Sequence, residues 1–475
     1  MRVPLKRIQV LYLAVFIFLP VTACTVYKPI KSIEPQVALP ESFSTGQPLP
    51  PIDRWWLEFG DENIETLVNE ALSENLTLRM AWSRLDQARQ VAKIAGTGRY
   101  PELDIEVGGQ HQHTSGNLSP DSPENLNVFH TNLTLGYQLD LWKKIENSRL
   151  AASLEFEAGK EDLMATALTV AANTVELWAS LMEQEALFDL LEDQLEVVTN
   201  YLKLVKSRFG QGLSSAVEVY QQKQQVENIR AQFPKIRLQR KLLEHQLSIM
   251  LGRPPSNSVA LSGDELPELK ALPPTGIPAE ILRKRPDVRA VELRLMAADH
   301  RVASAVADRF PSINLSASIG NQSDEVSNLF DSFISTFAGN IMSPLFDAGK
   351  RKAESDRNKA VVRELFYQWK AVFLKSYSEV EDALVTEEEL LKTYEITQKQ
   401  VKLAQLTLDR SRDLYINGLA DYLTVLTSLQ SLQNLQRTEI NIRKSLLSNR
   451  IKLHGALGGS WSEKLVPPQI TPITH

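Results

Sequence analysis

Two groups of side chains have the types and spacing to do chemistry. The first is Cys24, the only cysteine among 475 residues. It follows a positive start (Arg2, Lys6, Arg7), the apolar run "VLYLAVFIFL" and the small residue Ala23. That run is short for a membrane span, and its order is that of a targeting segment cleaved before a cysteine that then takes lipid. Removal of residues 1–23 takes the formal net charge from −6 to −9. Thr25, rather than Asp, after the cysteine favours the outer membrane, by analogy with other lipoproteins. A secretory signal followed by a free thiol is the alternative. The second group is His111 and His113, two residues apart on one strand face, a spacing that suits a metal pair; the preferred reading is polar lumen or loop residues. No Gly-x-Ser-x-Gly, His-Glu-x-x-His or phosphate-binding glycine loop occurs, so no enzyme and no cofactor or metal is expected. Apolar content of 43% and charged content of 23% describe a folded chain, and an acidic balance without a basic block argues against nucleic acid as partner.

The elements around these residues are written twice. "RYPELDIEVGG" from Arg99 matches "RFPSINLSASIG" from Arg309, and "DLWK" from Asp140 matches "DAGK" from Asp347. Phe209, Gly212 and Val219 match Tyr415, Gly418 and Val425, and Leu251 matches Leu457, at an offset of 206. A nearly constant offset over ordered landmarks means a duplicated unit of roughly 200 residues. In each half a helical segment (Asn63–Ala95 in the first) ends at an aromatic-Pro step, and two stretches with period two follow. Leu103, Ile105 and Val107 alternate with Asp104 and Glu106; Ile313, Leu315, Ala317 and Ile319 alternate with Ser312, Asn314, Ser316 and Ser318. These are strands with one oily and one wet face, paired as hairpins, and they fit a transmembrane barrel wall. The fourth strand, about Asp331–Leu345, alternates poorly and is placed by its position in the repeat. Four strands are too few to close a barrel, so several chains must contribute.

After each strand pair the period changes to heptads: Leu163, Ala167, Val170, Thr174, Leu177 and onward to Phe209, with a weaker series from Trp369 to Tyr415. Each such run predicts a helix of roughly 100 Å at 1.5 Å rise per residue. The chain then turns at "GQGLSS" and "INGLAD" and is helical again for about 35–40 residues with Gln-rich faces, giving two antiparallel helical hairpins. Gly212 and Gly418 supply the left-handed residue that ends one helix, Ser214 or Asp421 caps the next, and Pro234 kinks the first returning helix.

These motifs resemble the outer-membrane channels of tripartite efflux and secretion systems, the TolC-like factors, and their OprM-like (NodT-type) lipoprotein branch. The resemblance rests on "WWLEFGDENIETLVNEALSEN" (55–75), "RPDVRAVELRLMAADHRVASAVADRFPSINLSASIG" (285–320), "SPLFDAGKRKA", "GLADYLTVLTSLQSL" and "ALGGSW". It implies a mainly α, mixed α/β membrane protein, internally duplicated. Four strands per chain would contribute to a trimeric twelve-stranded outer-membrane β-barrel, and the helical hairpins to a periplasmic α-barrel. The expected division is a signal peptide at 1–23, a lipidated linker at 24–60, a first repeat at 61–255 and a linker at 256–284. A second repeat at 285–459 and a tail at 460–475 complete it. The β-hairpins fall at 102–141 and 312–345, and the tips near 210–215 and 416–421. The implied function is a passive exit duct for small molecules, lipid-anchored in the outer membrane, working as a homotrimer with a periplasmic adaptor and an inner-membrane RND-type pump. By position, Gly212, Leu213, Ser214, Ser215, Gly418, Leu419, Ala420 and Asp421 would meet the adaptor. The family's acidic pore-narrowing position is Thr427 here, so Glu218 or Asp421 would have to supply a charged ring, with Arg208 and Tyr415 holding the tips closed. The alternatives are a type I secretion or metal-efflux duct, or a structural coiled-coil lipoprotein without a pore. Seven methionines, one the initiator, give a methionine-lined metal path no support.

Overall fold

A computed structural model describes residues 27–30, 40, 43–44, 54–113, 125–255, 266–267, 269, 272, 278–458, 465 and 467. Cys24 and the targeting segment lie outside the described residues. Helices α1 (Glu62–Glu74) and α2 (Leu76–Thr97) precede strands β1 (Glu102–His113) and β2 (Asn125–Leu139). Helices α3 (Lys144–Gly210), α4 (Ala216–Arg230), α5 (Phe233–Met250), α6 (Pro278–Lys284) and α7 (Pro286–Ala307) follow. The second half adds β3 (Ser312–Ser323), β4 (Ile334–Met342), α8 (Lys350–Ile416) and α9 (Tyr422–Leu457). Among the described residues no helix is long and apolar enough to cross a membrane. The chain divides into two compact units, one formed by described residues of Met1–Glu34, Asp86–Ala158 and Val291–Trp369, the other by those of Pro35–Leu85, Gly159–Ala290 and Lys370–His475.

The first unit holds one antiparallel sheet in the order β1-β2-β3-β4. Its register sets Leu103 opposite Leu135, Leu135 opposite Ala317 and Ala317 opposite Phe337. Because side chains alternate along a strand, this row belongs to one apolar face that also holds Ile105, Leu133, Ile319, Ile313 and Ile341. The other face carries Glu102, Asp104, Glu106, Asn132, Thr134, Asn314, Ser316, Thr336 and Asn340. The weakly alternating β4 thus gets its faces from hydrogen-bond register: Phe337 and Ile341 are on the oily side. His111 and His113 also fall on the Leu103–Ile105–Val107 side, not on the polar face where a lumen position would lie. They share hydrogen bonds of 2.7 and 2.8 Å with Asn127 and Asn125.

The repeated "DLWK" and "DAGK" motifs start the two long helices. Asp140 accepts from the N–H groups of Ile145 and Glu146 at 3.0 and 2.7 Å. Asp347 accepts from those of Gly349 and Arg351 at 3.0 and 3.2 Å. Each aspartate satisfies donors that a helix start leaves unpaired and places negative charge where the helix dipole favours it. Lys144 and Arg351 both reach Asp308, at 2.5 and 3.0 Å, so the two starts share one carboxylate.

In the second unit the helical segment expected to run unbroken from Asn63 is two helices. Asn75 leaves helical geometry at ψ 124, and its side chain accepts from Thr77 and Leu78 N–H at 2.9 and 3.1 Å, capping α2. Trp55, Trp56, Phe59 and Trp178 are buried there, with Trp55 stacked on His454 at 5.2 Å. Glu387, wholly buried, holds Arg450 at 2.5 Å and Asn449 at 2.9 Å. Arg285 bridges Asp287 (2.8 Å), Glu379 (2.7 Å) and the Ala456 carbonyl (2.9 Å), tying the start of α7 to the end of α9.

Helices α3 and α8 each span 67 residues, about 100 Å at 1.5 Å per residue. The returning arms differ. α9 is one helix of 36 residues; its counterpart is α4 of 15 residues and α5 of 18, separated at Ala231 and Gln232. Pro234 stands in the first turn of α5, where its missing N–H is least costly.

Candidate functional site: the paired helical tips

Both tips close by the same backbone device. Gly212 N–H donates to the Phe209 carbonyl at 3.0 Å and Leu213 N–H to that of Arg208 at 2.9 Å. Gly418 N–H donates to the Tyr415 carbonyl at 3.1 Å and Leu419 N–H to that of Leu414 at 2.8 Å. This is the Schellman pattern, which needs a left-handed residue, and Gly212 and Gly418 sit at φ 75 and 73. Leu213 and Leu419, the next residues, are 60% and 74% exposed.

The cap residues differ from the sequence expectation. Ser215, not Ser214, caps α4: its hydroxyl accepts from Glu218 N–H while Glu218 reaches back to the Ser215 N–H, both at 3.3 Å. Asp421 occupies the N-cap position of α9 but its side chain makes no cap bond. The signal for this register was in the sequence: Glu218 stands three residues after Ser215, whereas Val217 stands three after Ser214. Ser214 instead donates to Glu218 at 2.5 Å.

Glu218 is the centre of the site. The Tyr415 hydroxyl, from the other hairpin, donates to it at 2.7 Å. Arg208 lies over the Tyr415 ring at 4.7 Å and donates to the Ile416 carbonyl at 2.9 Å. Burial pushes the Glu218 carboxyl up, but bonds from Ser214, Tyr415 and Ser215 outweigh it and hold it below the usual carboxylate range. Burial, with the facing Glu218 carboxylate, raises the Tyr415 phenol, which therefore stays a donor. Tyr415 meets Tyr422 edge-on at 5.4 Å, and the Tyr422 hydroxyl bonds Gln222. So Arg208, Glu218 and Tyr415 converge on one cross-hairpin contact. Asp421 and Thr427 do not join it. Thr427 is exposed and its hydroxyl donates to the Leu423 carbonyl of its own helix at 2.9 Å.

One feature escaped sequence reasoning, and a second extends the wet strand face already read there. The Gln-rich helix faces read simply as polar, yet Gln222 and Gln433 are buried; the available signal was glutamine at seam positions facing an otherwise apolar heptad series. The polar sheet face carries Glu102, Asp104 and Glu106, and the four described strands contain no Lys or Arg.

Residues 67–253 and 277–459 match the outer membrane efflux protein family. The cation efflux system protein CusC of Escherichia coli O6:H1 is 29% identical over 418 residues, 86% of this chain and 88% of that protein. The probable outer membrane lipoprotein SilC of Salmonella typhimurium is 29% identical over 416 residues, again 86% and 88% of the two chains. A solved structure of CusC superposes with a TM-score of 0.82 at 27% identity, covering 91% of this chain and 99% of that one. With the family spanning most of its length and the same fold around its duplicated sheet and hairpins, the chain belongs to the outer membrane efflux protein family and is an outer-membrane exit duct of a tripartite efflux system.

Proposed function

We propose that three copies form the duct, and that it is held shut at the helical tips by the Tyr415–Glu218 contact until an adaptor engages them. The observation that carries the gate is that single hydrogen bond, 2.7 Å long, joining the two hairpins between a raised phenol and a lowered carboxylate. Trimer formation is supported by the sheet itself. In the order β1-β2-β3-β4 the outer edges of β1 and β4 have no strand partner among the described residues, and open edges are completed by other chains. On α8, Val385, Ile396, Leu403 and Leu406 stand exposed at 55–63%, an apolar stripe that suits a neighbouring copy.

Gly212 to Ser215 and Gly418 to Asp421 form the adaptor contact, with Leu213 and Leu419 as its apolar knobs, and the adaptor links the duct to an RND-type pump in the inner membrane. Lipid on Cys24 adds a second anchor to the barrel. The cargo is small molecules chosen by the pump. A second reading, a metal-ion exit duct, is favoured by the similarity to a cation efflux protein and by a strand face whose carboxylates, Glu102, Asp104 and Glu106, would attract cations.

Single-channel conductance of the purified mature protein in a planar bilayer tests the gate. Wild type should give small, flickering currents, and Tyr415→Phe with Arg208→Ser should enlarge them. A trimer on a sizing column that conducts in neither form would sink the gate as assigned.

A further inference from the structure

The two hairpins also meet along a seam that a simply stabilising interface would not contain. Leu191 and Val198 of α3, Val226 and Ile229 of α4, Leu408 of α8 and Val425, Leu429 and Leu432 of α9 form an apolar cluster. Set into it are four amides: Gln222, Gln433, Gln194 and Gln225, at 0%, 2%, 3% and 5% exposure. Gln430 donates to Gln225 at 3.0 Å, Gln225 donates to Gln433 at 2.9 Å, and Gln194 donates to Gln436 at 2.9 Å. Gln222 donates to the Val198 carbonyl at 2.6 Å. The Nε2 of Gln433 is buried with no acceptor.

A buried donor without a partner is destabilising, and leucine in its place would pack with the cluster at no such penalty. What amides provide is exchange. Each is both donor and acceptor, and α9 presents Gln430, Gln433 and Gln436 at three-residue steps, so an amide that loses one partner meets the next. Knobs of leucine in holes would resist the same displacement.

The seam has two ends. At one, Tyr422 bonds Gln222 and packs edge-on against Tyr415, so the gate contact runs directly into it. At the other, Arg437 donates to Gln194 at 3.0 Å, Gln232 at 3.1 Å and Asn434 at 2.6 Å. Gln232 lies in the break between α4 and α5, beside Pro234. A multiply bonded cation and a helix break therefore coincide at one level.

We propose that this amide seam is the slip plane of the gate. When the Tyr415–Glu218 contact opens, α9 and α4 shift past one another by trading amide partners, and the motion pivots at Arg437 and the Ala231–Pro234 break. The inference rests on the gate assigned above. Its test is Gln225→Leu with Gln433→Leu, placed in the tip-loosened parent (Tyr415→Phe, Arg208→Ser), with thermal melting of the trimer and single-channel opening measured together. The expected result is a trimer that melts at a higher temperature and opens at least about tenfold less often than its parent. Any other pairing of melting and opening overturns the seam: unchanged opening means it does not guide the motion, and lower melting means the amides only hold the hairpins together. A silent parent overturns the gate and the seam with it, whereas a failure seen only in the double variant touches the seam alone. Should the double variant not assemble, Gln433→Met, close in volume, is read by the same criterion.

Discussion

The first and second hairpins share what chain geometry demands and differ at their tips and in their returning arms. Both outgoing helices have 67 residues, both start on an aspartate, and both end in the same glycine turn. The returning arm, however, is broken after α4 in the first half and continuous as α9 in the second. The first tip has a capping box around Glu218; the second has an Asp421 that caps nothing with its side chain. In the sheet, Glu102, Asp104 and Glu106 of the first half stand where the second has Ser312, Asn314 and Ser316. One half thus supplies carboxylates and a broken arm, the other an aromatic partner and a continuous arm. Duplication fixed the scaffold, and asymmetry between the copies supplied the two different partners of the Tyr415–Glu218 contact.

Substitutions that attack the shared part should have the largest effect. Gly418→Pro demands φ near −65° where the backbone sits at 73, and a bulky residue at Gly212 meets the same conflict at φ 75. Either should abolish efflux while the trimer still elutes intact; loss of the trimer would reassign these glycines to assembly. Next come changes that erase the difference between arms. Ile440→Pro, at the position matching Pro234 by the 206-residue offset, puts a proline in the continuous helix at a cost of about 3 kcal/mol or more. The channel should become leaky and melt several degrees lower, and an unchanged conductance would mean that arm rigidity does not hold the gate.

Making β1 copy β3, through Glu102→Ser, Asp104→Asn and Glu106→Ser, should remove the cation preference read from the reversal potential in a salt gradient; a persistent preference would place selectivity elsewhere. A pH effect should be narrower. Because the Glu218 carboxyl is held low, its bond to Tyr415 is complete at neutral pH and survives as pH falls through the ordinary carboxylate range. Only below that range should opening rise, and Glu218→Gln should remove the step; a rise near neutrality would implicate another group. Least affected should be capping. Ser215→Ala should cost about 1 kcal/mol of stability, and Asp421→Ala close to nothing in thermal melts; equal losses would erase the distinction between tips.

Much of this was legible because it repeats or has a period. The alternation from Ile313 to Ile319, the heptads ending at Phe209 and the paired glycines each follow from local chemistry. The faces of β4 do not, since apolar Ile334, Ala338 and Met342 alternate with equally apolar Phe337 and Ile341; only pairing with β3 settles them. Asn75 ends a helix in a sequence that keeps its helical period on both sides, because capping by a side chain leaves no break in hydrophobicity. The buried glutamines and the Tyr415–Glu218 bond join residues about 200 positions apart, and no local pattern encodes such a meeting. Sequence placed Arg208, Glu218, Tyr415, Asp421 and Thr427 near the tips; only geometry separated the three that touch from the two that do not.

The open edges of the sheet have a consequence for genetics. In the proposed trimer the wall is only as sound as its poorest member, so a mutant chain that assembles yet cannot open will disable partners that are themselves intact. Where mutant and normal chains are made equally and mix at random, only about one assembly in eight is wholly normal. Alleles altering the tips should therefore be dominant, whereas alleles that prevent strand pairing should be recessive, because their products never enter an assembly to spoil it.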